Sequence, residues 1–475
     1  MRLLTRSNRQ GGTVTRSRTL LLLVLSGAIF LEGVDVSMMG VALPSIREEL
    51  GLATSELQWI VSAYVLGYGG FVLLGGRAAD LLGRRRMFLS WMAVFIVFSA
   101  LGGIADSGWL LILARFVTGV AAGFMAPAGL SIITSSFAEG SERNRALLIY
   151  AGVAAAGFSL GMVVGGLLTA IGWRWVFFAP VAMASLLMLA AMRVVPRDAE
   201  RAAGAFDLSG ALSLTAAMIL LVFTVVRAPD VDVALTVVGL VGSAALLAAF
   251  VAVERRAAAP LVRLGILRSA SLVRANVGTM LFIGAFVAFQ FVAVLYLQEL
   301  RDWSPVETGL ALMVLGIDAI LAPTLTPRLV ERFGKLPVIG AGMVLAAVGY
   351  GLFLPLGPDW TYLQMLPTIV LVGVAFALAF GTLMIVATDG IAEHEQGLAS
   401  GLQYVSLQFG AAVGLAVVAA VNVAATDGTS EAARLDGYQA ALFVPVAAVL
   451  LALAVTATAL PESRRASVIG ACSST

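Results

Sequence analysis

The chain has 475 residues, 60% of them hydrophobic and 12% charged, where a soluble domain carries about 25% charged residues, and its mean hydropathy is +0.98. These values exclude a soluble globular protein and imply an integral membrane protein. The formal net charge of +2 says little, because in such a chain the placement of charge carries the information.

An apolar helix needs about 20 residues to cross a bilayer. Fourteen such runs follow one another, over 19–42, 56–76, 87–105, 109–134, 146–169, 174–193, 208–227, 232–253, 274–298, 306–327, 336–356, 361–387, 397–424 and 437–460. Residues 1–18 carry five arginines and no acid. The apolar run after them is longer than a signal-peptide core and lacks a small-residue cleavage site, so helix 1 is expected to be retained. Counted loop by loop with the N-terminus inside, 24 of the 30 Lys and Arg residues fall on the cytoplasmic side. Five, Arg47, Arg174, Arg227, Arg301 and Arg434, fall outside, so both termini are expected in the cytoplasm of a multi-pass cell-membrane protein.

The chain also repeats itself. Gly76 to Phe88, GRAADLLGRRRMF, is echoed by Pro327 to Ile339, PRLVERFGKLPVI, at an offset of 251 positions, with Glu331 for Asp80, Gly334 for Gly83 and Lys335 for Arg84. Gly157 and Gly161 recur as Gly410 and Gly414 at an offset of 253. Helices 7 and 8 match neither copy. The predicted architecture is therefore all-α, with two six-helix bundles (19–193 and 274–460), two inserted helices (208–253), an N-terminal arm (1–18) and a C-terminal tail (461–475), the last two cytoplasmic.

Four sets of residues stand out. The hairpin Gly76, Asp80, Gly83, Arg84 and Arg86 lies between two spans. Positive-inside bias accounts for its arginines but not for the glycines, the acid or the echo, so a conformational role is expected, with the glycines permitting a tight turn. Asp35 in helix 1 and Arg115 in helix 4 lie at similar depth, roughly 10 Å from the outer surface by helix rise, and can pair. Burying such a charge costs at least about 3 kcal/mol, which makes each a functional candidate, the alternative being a purely structural lock between helices 1 and 4. Glu32, three residues before Asp35, shares its face, so one of the two carboxylates is expected to hold a proton; the alternative is a hydrogen bond to a neighbouring helix. Asp318 in helix 10 binds a proton or cation in a central cavity or pairs with a local hydroxyl or backbone group.

Gly152, Gly157, Gly161, Gly165 and Gly166, with Gly397, Gly401, Gly410 and Gly414, form small-residue faces suited to close helix packing. Absences matter as well. The lone lysine, Lys335, is followed by Leu336, so there is no GxxxxGK phosphate loop. The lone histidine, His394, rules out an HExxH site, and the lone cysteine, Cys472, rules out a disulfide or cysteine cluster. No enzyme chemistry, cofactor, metal or nucleic-acid partner is expected.

These residues resemble the major facilitator superfamily, and within it the fourteen-helix drug/proton antiporter branch, over the whole length from helix 1 to helix 14. Gly76, Asp80, Gly83, Arg84 and Arg86 fit the superfamily's loop signature. Asp35, Ala42, Leu43 and Pro44 fit the branch's helix 1 signature, with Ser37 for threonine and Gly40 for asparagine. Arg115, Gly119 and Ala122 fit helix 4, with Thr118 for glutamine. Gly157, Gly161, Gly165 and Gly166 look like the helix 5 antiporter signature, with Met162 for proline. Trp173, Arg174, Trp175, Phe177 and Phe178 resemble the segment opening helix 6, and Tyr296, Leu297, Gln298, Ser304 and Gly309 the helix 9 to 10 turn.

The resemblance implies the major facilitator fold and export of a hydrophobic small molecule, cationic or neutral, against inward proton flow by alternating access. Asp35, Glu32, Arg115 and Asp318 would serve coupling or substrate, and protons and membrane lipid would be the other partners. A dedicated exporter of one endogenous metabolite and a proton-coupled importer are the alternatives.

Overall fold

The structure is a computed structural model, and it describes residues 4–137, 141–197, 208–228, 231–257, 260, 264–389, 391 and 396–458. His394, Cys472 and the side chain of Asp80 lie outside the described residues. The helices are α1 (Leu4–Leu50), α2 (Thr54–Leu82), α3 (Arg84–Gly103), α4 (Gly108–Ser136), α5 (Ser141–Ile171), α6 (Trp175–Val194), α7 (Leu208–Arg227) and α8 (Val233–Arg256). There follow α9 (Ala270–Leu300), α10 (Pro305–Phe333), α11 (Lys335–Phe353), α12 (Tyr362–Thr388), α13 (Gln396–Ala425) and α14 (Glu431–Ala457). Thirteen are long and apolar enough to cross a membrane, and α7, apolar over Leu212–Val225, completes the expected set. Among the described residues there is no strand.

Limits differ from expectation where local chemistry permits a helix to run on. α1 continues past 42 and through Pro44 to Leu50. The carbonyl that Pro44 leaves unpaired and crowds belongs to Gly40, beside which a side chain would have open space. α2 extends through the hairpin sequence to Leu82, so Gly76 is helical and Gly83 alone makes the turn, at φ 101°. Its counterpart Gly334 joins α10 to α11 at φ 83°. α10 is not uniform: Met313–Ile317 is a 3₁₀ turn, after which Asp318 opens a second α-helical segment. The end of α9, Tyr296–Leu300, is wound as a π-turn.

Packing repeats between the halves. α1 lies on α5, α2 on α4, and α3 on both α4 and α6; correspondingly α9 lies on α13, α10 on α12, and α11 on both α12 and α14. The glycine pairs occupy equivalent places. Gly157 and Gly161 press on Phe30 and Val34 of α1, and Gly410 and Gly414 on Met280 and Gly284 of α9. Close packing is thus what those glycines do, whereas Gly152 faces open space.

The halves meet along two seams, α2 against α13 and α5 against α10. α7 packs on α2 and α13 together, and α8 packs on α7, where Ser243 donates to the carbonyl of Ala217 at 2.9 Å. We call the end bearing the Gly83 and Gly334 turns the hairpin face and the opposite end, bearing Arg47, the far face.

Candidate functional site

Helix α4 crosses α2 almost backbone to backbone, because Gly119 and Gly123 face Tyr64 and Tyr68, and Gly67 and Gly75 return the contact to Phe116 and Gly123. This approach brings Arg115 beside α1. Its guanidinium donates to Asp35 at 2.6 Å, with both residues 1% exposed, and lies 4.4 Å above the Tyr64 ring. The Asp35–Arg115 pair that the sequence permitted is therefore made, inside the first half. It is incompletely satisfied: Arg115 Nε has no hydrogen-bond partner among the described residues.

Glu32 does not share that arginine. One turn earlier on α1, it lies within electrostatic reach of Asp35 but faces Tyr68 and Tyr404. Tyr68 stands edge-on to Tyr64 (6.2 Å, 89°) and stacks on Tyr404 of α13 (6.4 Å, 23°). An unbroken series, Asp35, Arg115, Tyr64, Tyr68, Tyr404, thus runs from the buried ion pair across the α2/α13 seam. The spacing of Tyr64 and Tyr68, one helical turn apart on α2, was a signal in the sequence; Tyr404 had none.

Asp318 is not part of this group. It sits at the 3₁₀ break of α10, half-buried, with the amide of Ala319 as its neighbour, and among the described residues it makes no ion pair. The break itself lies at the α5/α10 seam, with Gly316 against Ser159, and on its other side Gly373 of α12 packs on Leu315 and Ile317.

On the hairpin face Arg84 donates to the carbonyl of Ser131 at 3.3 Å and Arg85 to that of Met192 at 2.6 Å, tying the turn to α4 and α6, while Arg86 is exposed. Met192 belongs to the last turn of α6, where a cation is favoured. The hairpin residues Gly76 and Gly83 therefore do different things: Gly83 turns the chain, whereas Gly76 lies within helix α2, where a Cβ would meet only Pro127 of α4 at an ordinary contact distance.

The far face holds contacts that join the halves. Arg47 of α1 donates to both carboxylate oxygens of Glu299 on α9 (2.7 and 2.9 Å), and Tyr438 of α14 donates to the same carboxylate at 3.2 Å. Gln298 donates to the carbonyl of Val41 at 3.0 Å, and the π-turn that carries Gln298 and Glu299 is held by Tyr296 Oη on Gly357. Gly166 meets Pro305, and Gly309 meets Met162, whose sulfur accepts from Gln290. At the end of α1, Glu49 accepts from Trp173 Nε1 at 2.6 Å and pairs with Arg174. Sequence reasoning treated Arg47 as one loop charge among five; its partner lies 252 positions away, which no local pattern reveals.

The family model of the Major Facilitator Superfamily matches residues 25–415. The chain is 36% identical to the puromycin resistance protein pur8 of Streptomyces alboniger, covering 93% of this chain and 91% of that one. It is also 36% identical to the lincomycin resistance protein of Streptomyces lincolnensis (93% and 92%), and 30% identical to the multidrug resistance protein Stp of Mycobacterium tuberculosis CDC 1551 (88% and 78%). Among solved structures, its fold is similar to the nucleoside transporter NupG (TM-score 0.68, 12% identity, 93% and 99%). A bacterial homolog of the human lysosomal transporter Spinster is equally similar (0.68, 17%, 94% and 97%).

Proposed function

Because the chain belongs to the Major Facilitator Superfamily, a family of transporters and not of enzymes, we propose that it exports hydrophobic drugs or antibiotics in exchange for protons by alternating access. The observation that carries this reading is the buried Asp35–Arg115 pair with Glu32 one turn away: ionisable groups sealed in the apolar part of a bundle are costly and are kept for a purpose. Asp35 and Glu32 are the proton-carrying groups, Arg115 sets the resting partner of Asp35, and Asp318, at the helix break in the second half, serves the coupling ion or substrate there.

Orientation follows from the basic residues. With the hairpin face in the cytoplasm and the termini with it, Arg47–Glu299 and Gln298–Val41 lie on the outer side. The structure then corresponds to a state whose outer end is fastened. The hairpin, Asp80 included, acts on the opposite stroke by fastening the inner side.

The test is accumulation of ethidium and of puromycin in energised cells expressing the wild type or Asp35→Asn, with and without a protonophore, with the amount of protein in the membrane measured in parallel. Export that stops with the protonophore and in Asp35→Asn supports the reading. Export by the wild type that ignores the protonophore would sink proton coupling.

Relatives named for puromycin and for lincomycin favour one further reading, a dedicated exporter of a single compound. Resistance confined to one compound class in a broad panel would select it over a polyspecific pump.

A further inference from the structure

The hairpin turns of the two halves are alike in shape but tied down differently. At the hairpin offset of 251, Arg85 of α3 has Leu336 of α11 as its counterpart. In the first half Arg85 reaches across to the carbonyl of Met192 near the end of α6. In the second half the tie comes from another helix: Arg274 of α9 donates to the carbonyl of Thr458, the residue that ends α14, at 3.3 Å, and to Ala270 of its own helix at 3.1 Å. The shorter Leu336 leaves space where the first half carries a guanidinium. A cavity of about 320 Å³ lies there, between α9, α11, α12 and α14. It is far larger than a simple ion needs, a water's share of liquid being about 30 Å³.

The walls of this cleft are of two kinds. Ala275, Ile339 and Val386 are buried and apolar and make its floor. Arg274, Lys335 and Asp389 line it with two cations against one acid, and Lys335 is bonded to Asp389. Lys335 and Asp389 keep 37% and 44% of their side chains exposed, so the charged part is the mouth and it opens at the hairpin face. A basic mouth above an apolar floor suits an amphiphile. A soluble phosphate would leave the floor bare, and a lipid without net charge would leave the cationic excess unmet. Arginine matches phosphate oxygens with paired N–H donors, and basic pockets between helices on the cytoplasmic side attract acidic headgroups. We propose that this cleft binds one anionic phospholipid from the leaflet at the hairpin face, with its phosphate at Arg274 and Lys335 and the start of an acyl chain over Ile339 and Val386. The site is separate from Asp35 and Arg115 and from both seams, so it holds whatever compound the chain carries. All four helices that it touches belong to the second half, and a lipid seated among them binds that half into one body.

The test is native mass spectrometry of the full chain released from detergent micelles, titrated with phosphatidylglycerol or phosphatidylethanolamine, with thermal unfolding in the same detergent. The wild type is expected to take up one phosphatidylglycerol about tenfold more tightly than phosphatidylethanolamine, and to unfold at a higher temperature with it bound. Arg274→Gln removes the charge, and Ala275→Phe fills the cleft while leaving every charge in place. Each is expected to weaken phosphatidylglycerol binding about tenfold. Arg256→Gln, exposed at the same face on α8, is expected to change it less than about twofold, because a charge beyond the Debye length is screened. Unfolding without lipid separates loss of the site from loss of the fold, and Arg274→Gln serves if Ala275→Phe does not fold. Unchanged phosphatidylglycerol binding in folded Arg274→Gln, equal affinity for the two lipids, or an equal loss in Arg256→Gln overturns the proposal. Displacement of the lipid by excess glycerol phosphate overturns it as well, by making the cleft a site for a soluble phosphate.

Discussion

At the scale of single residues the decisive feature is that two carboxylates three positions apart have different company. Asp35 is bound to Arg115 at 2.6 Å in a site closed to water, so removing either partner leaves the other as an uncompensated charge. Breaking a buried pair costs about 3–5 kcal/mol, whereas removing both partners restores part of that. Asp35→Asn should therefore lower the melting temperature of the purified protein more than Asp35→Asn combined with Arg115→Gln, with transport absent in both. Equal melting temperatures for the single and double variants would show that the pair is not the buried unit described. The sequence made this pair legible, because both charges interrupt apolar runs at matching depth. It could not assign Glu32 its neighbours: Tyr404 reaches Glu32 only because α13 crosses α2, a contact between helices more than 300 residues apart in the chain.

At the scale of elements, glycine has three distinct uses that look alike in the sequence. Gly83, at φ 101° and ψ 131°, holds a backbone shape that a side chain resists, and an alanine there costs about 1–3 kcal/mol. Gly76 is helical with only Pro127 Cβ nearby, at 3.7 Å from where its own Cβ would be, so Gly76→Ala should be neutral or stabilise by up to about 1 kcal/mol. Thermal unfolding of the two variants in the same detergent checks the distinction; equal destabilisation would return Gly76 to the turn. Gly157 and Gly410 are a third case, pressed on the backbone of Phe30 and Met280. Gly410→Val should displace α13 from α9 and reduce folded protein in the membrane, whereas Gly152→Val, in open space, should not. The repeat offsets read from the sequence anticipated this equivalence. The breaks at Met313–Ile317 and Tyr296–Leu300 were not legible, because a change of helical winding leaves no signature in hydropathy.

For the whole molecule, the energetics of exchange set what the acids must do. One proton traded for one monovalent cation moves no net charge, so only the pH gradient drives it, about 1.4 kcal/mol per unit; a neutral compound also gains about 2.3 kcal/mol per 100 mV. A second titratable group, Glu32 or Asp318, is what lets a cation use the membrane potential as well. The fastening of the far face bears on the same cycle. Arg47 is about a third exposed, so its bond to Glu299 is worth about 1 kcal/mol, a roughly fivefold shift in the balance of states. Glu299→Gln should raise the population with that face open, read as a longer distance between spin labels on the far ends of α1 and α9; an unchanged distance distribution would show that Gln298 and the glycine contacts suffice.

The position of α7 constrains how such motion can occur. Thr215 lies hard against Gly70, Met218 beside Gly69, and Phe223 6.3 Å from Trp59, all on α2, while the contact with α13 is the lesser one. A helix so placed is expected to ride with the first half while α13 moves past it. Labels on α7 and α2 should then keep one separation through the whole transport cycle while labels on α7 and α13 alternate between two. The inserted pair would be a sliding surface built into the machine, and a chain deprived of it would have lost its guide rail rather than an ornament.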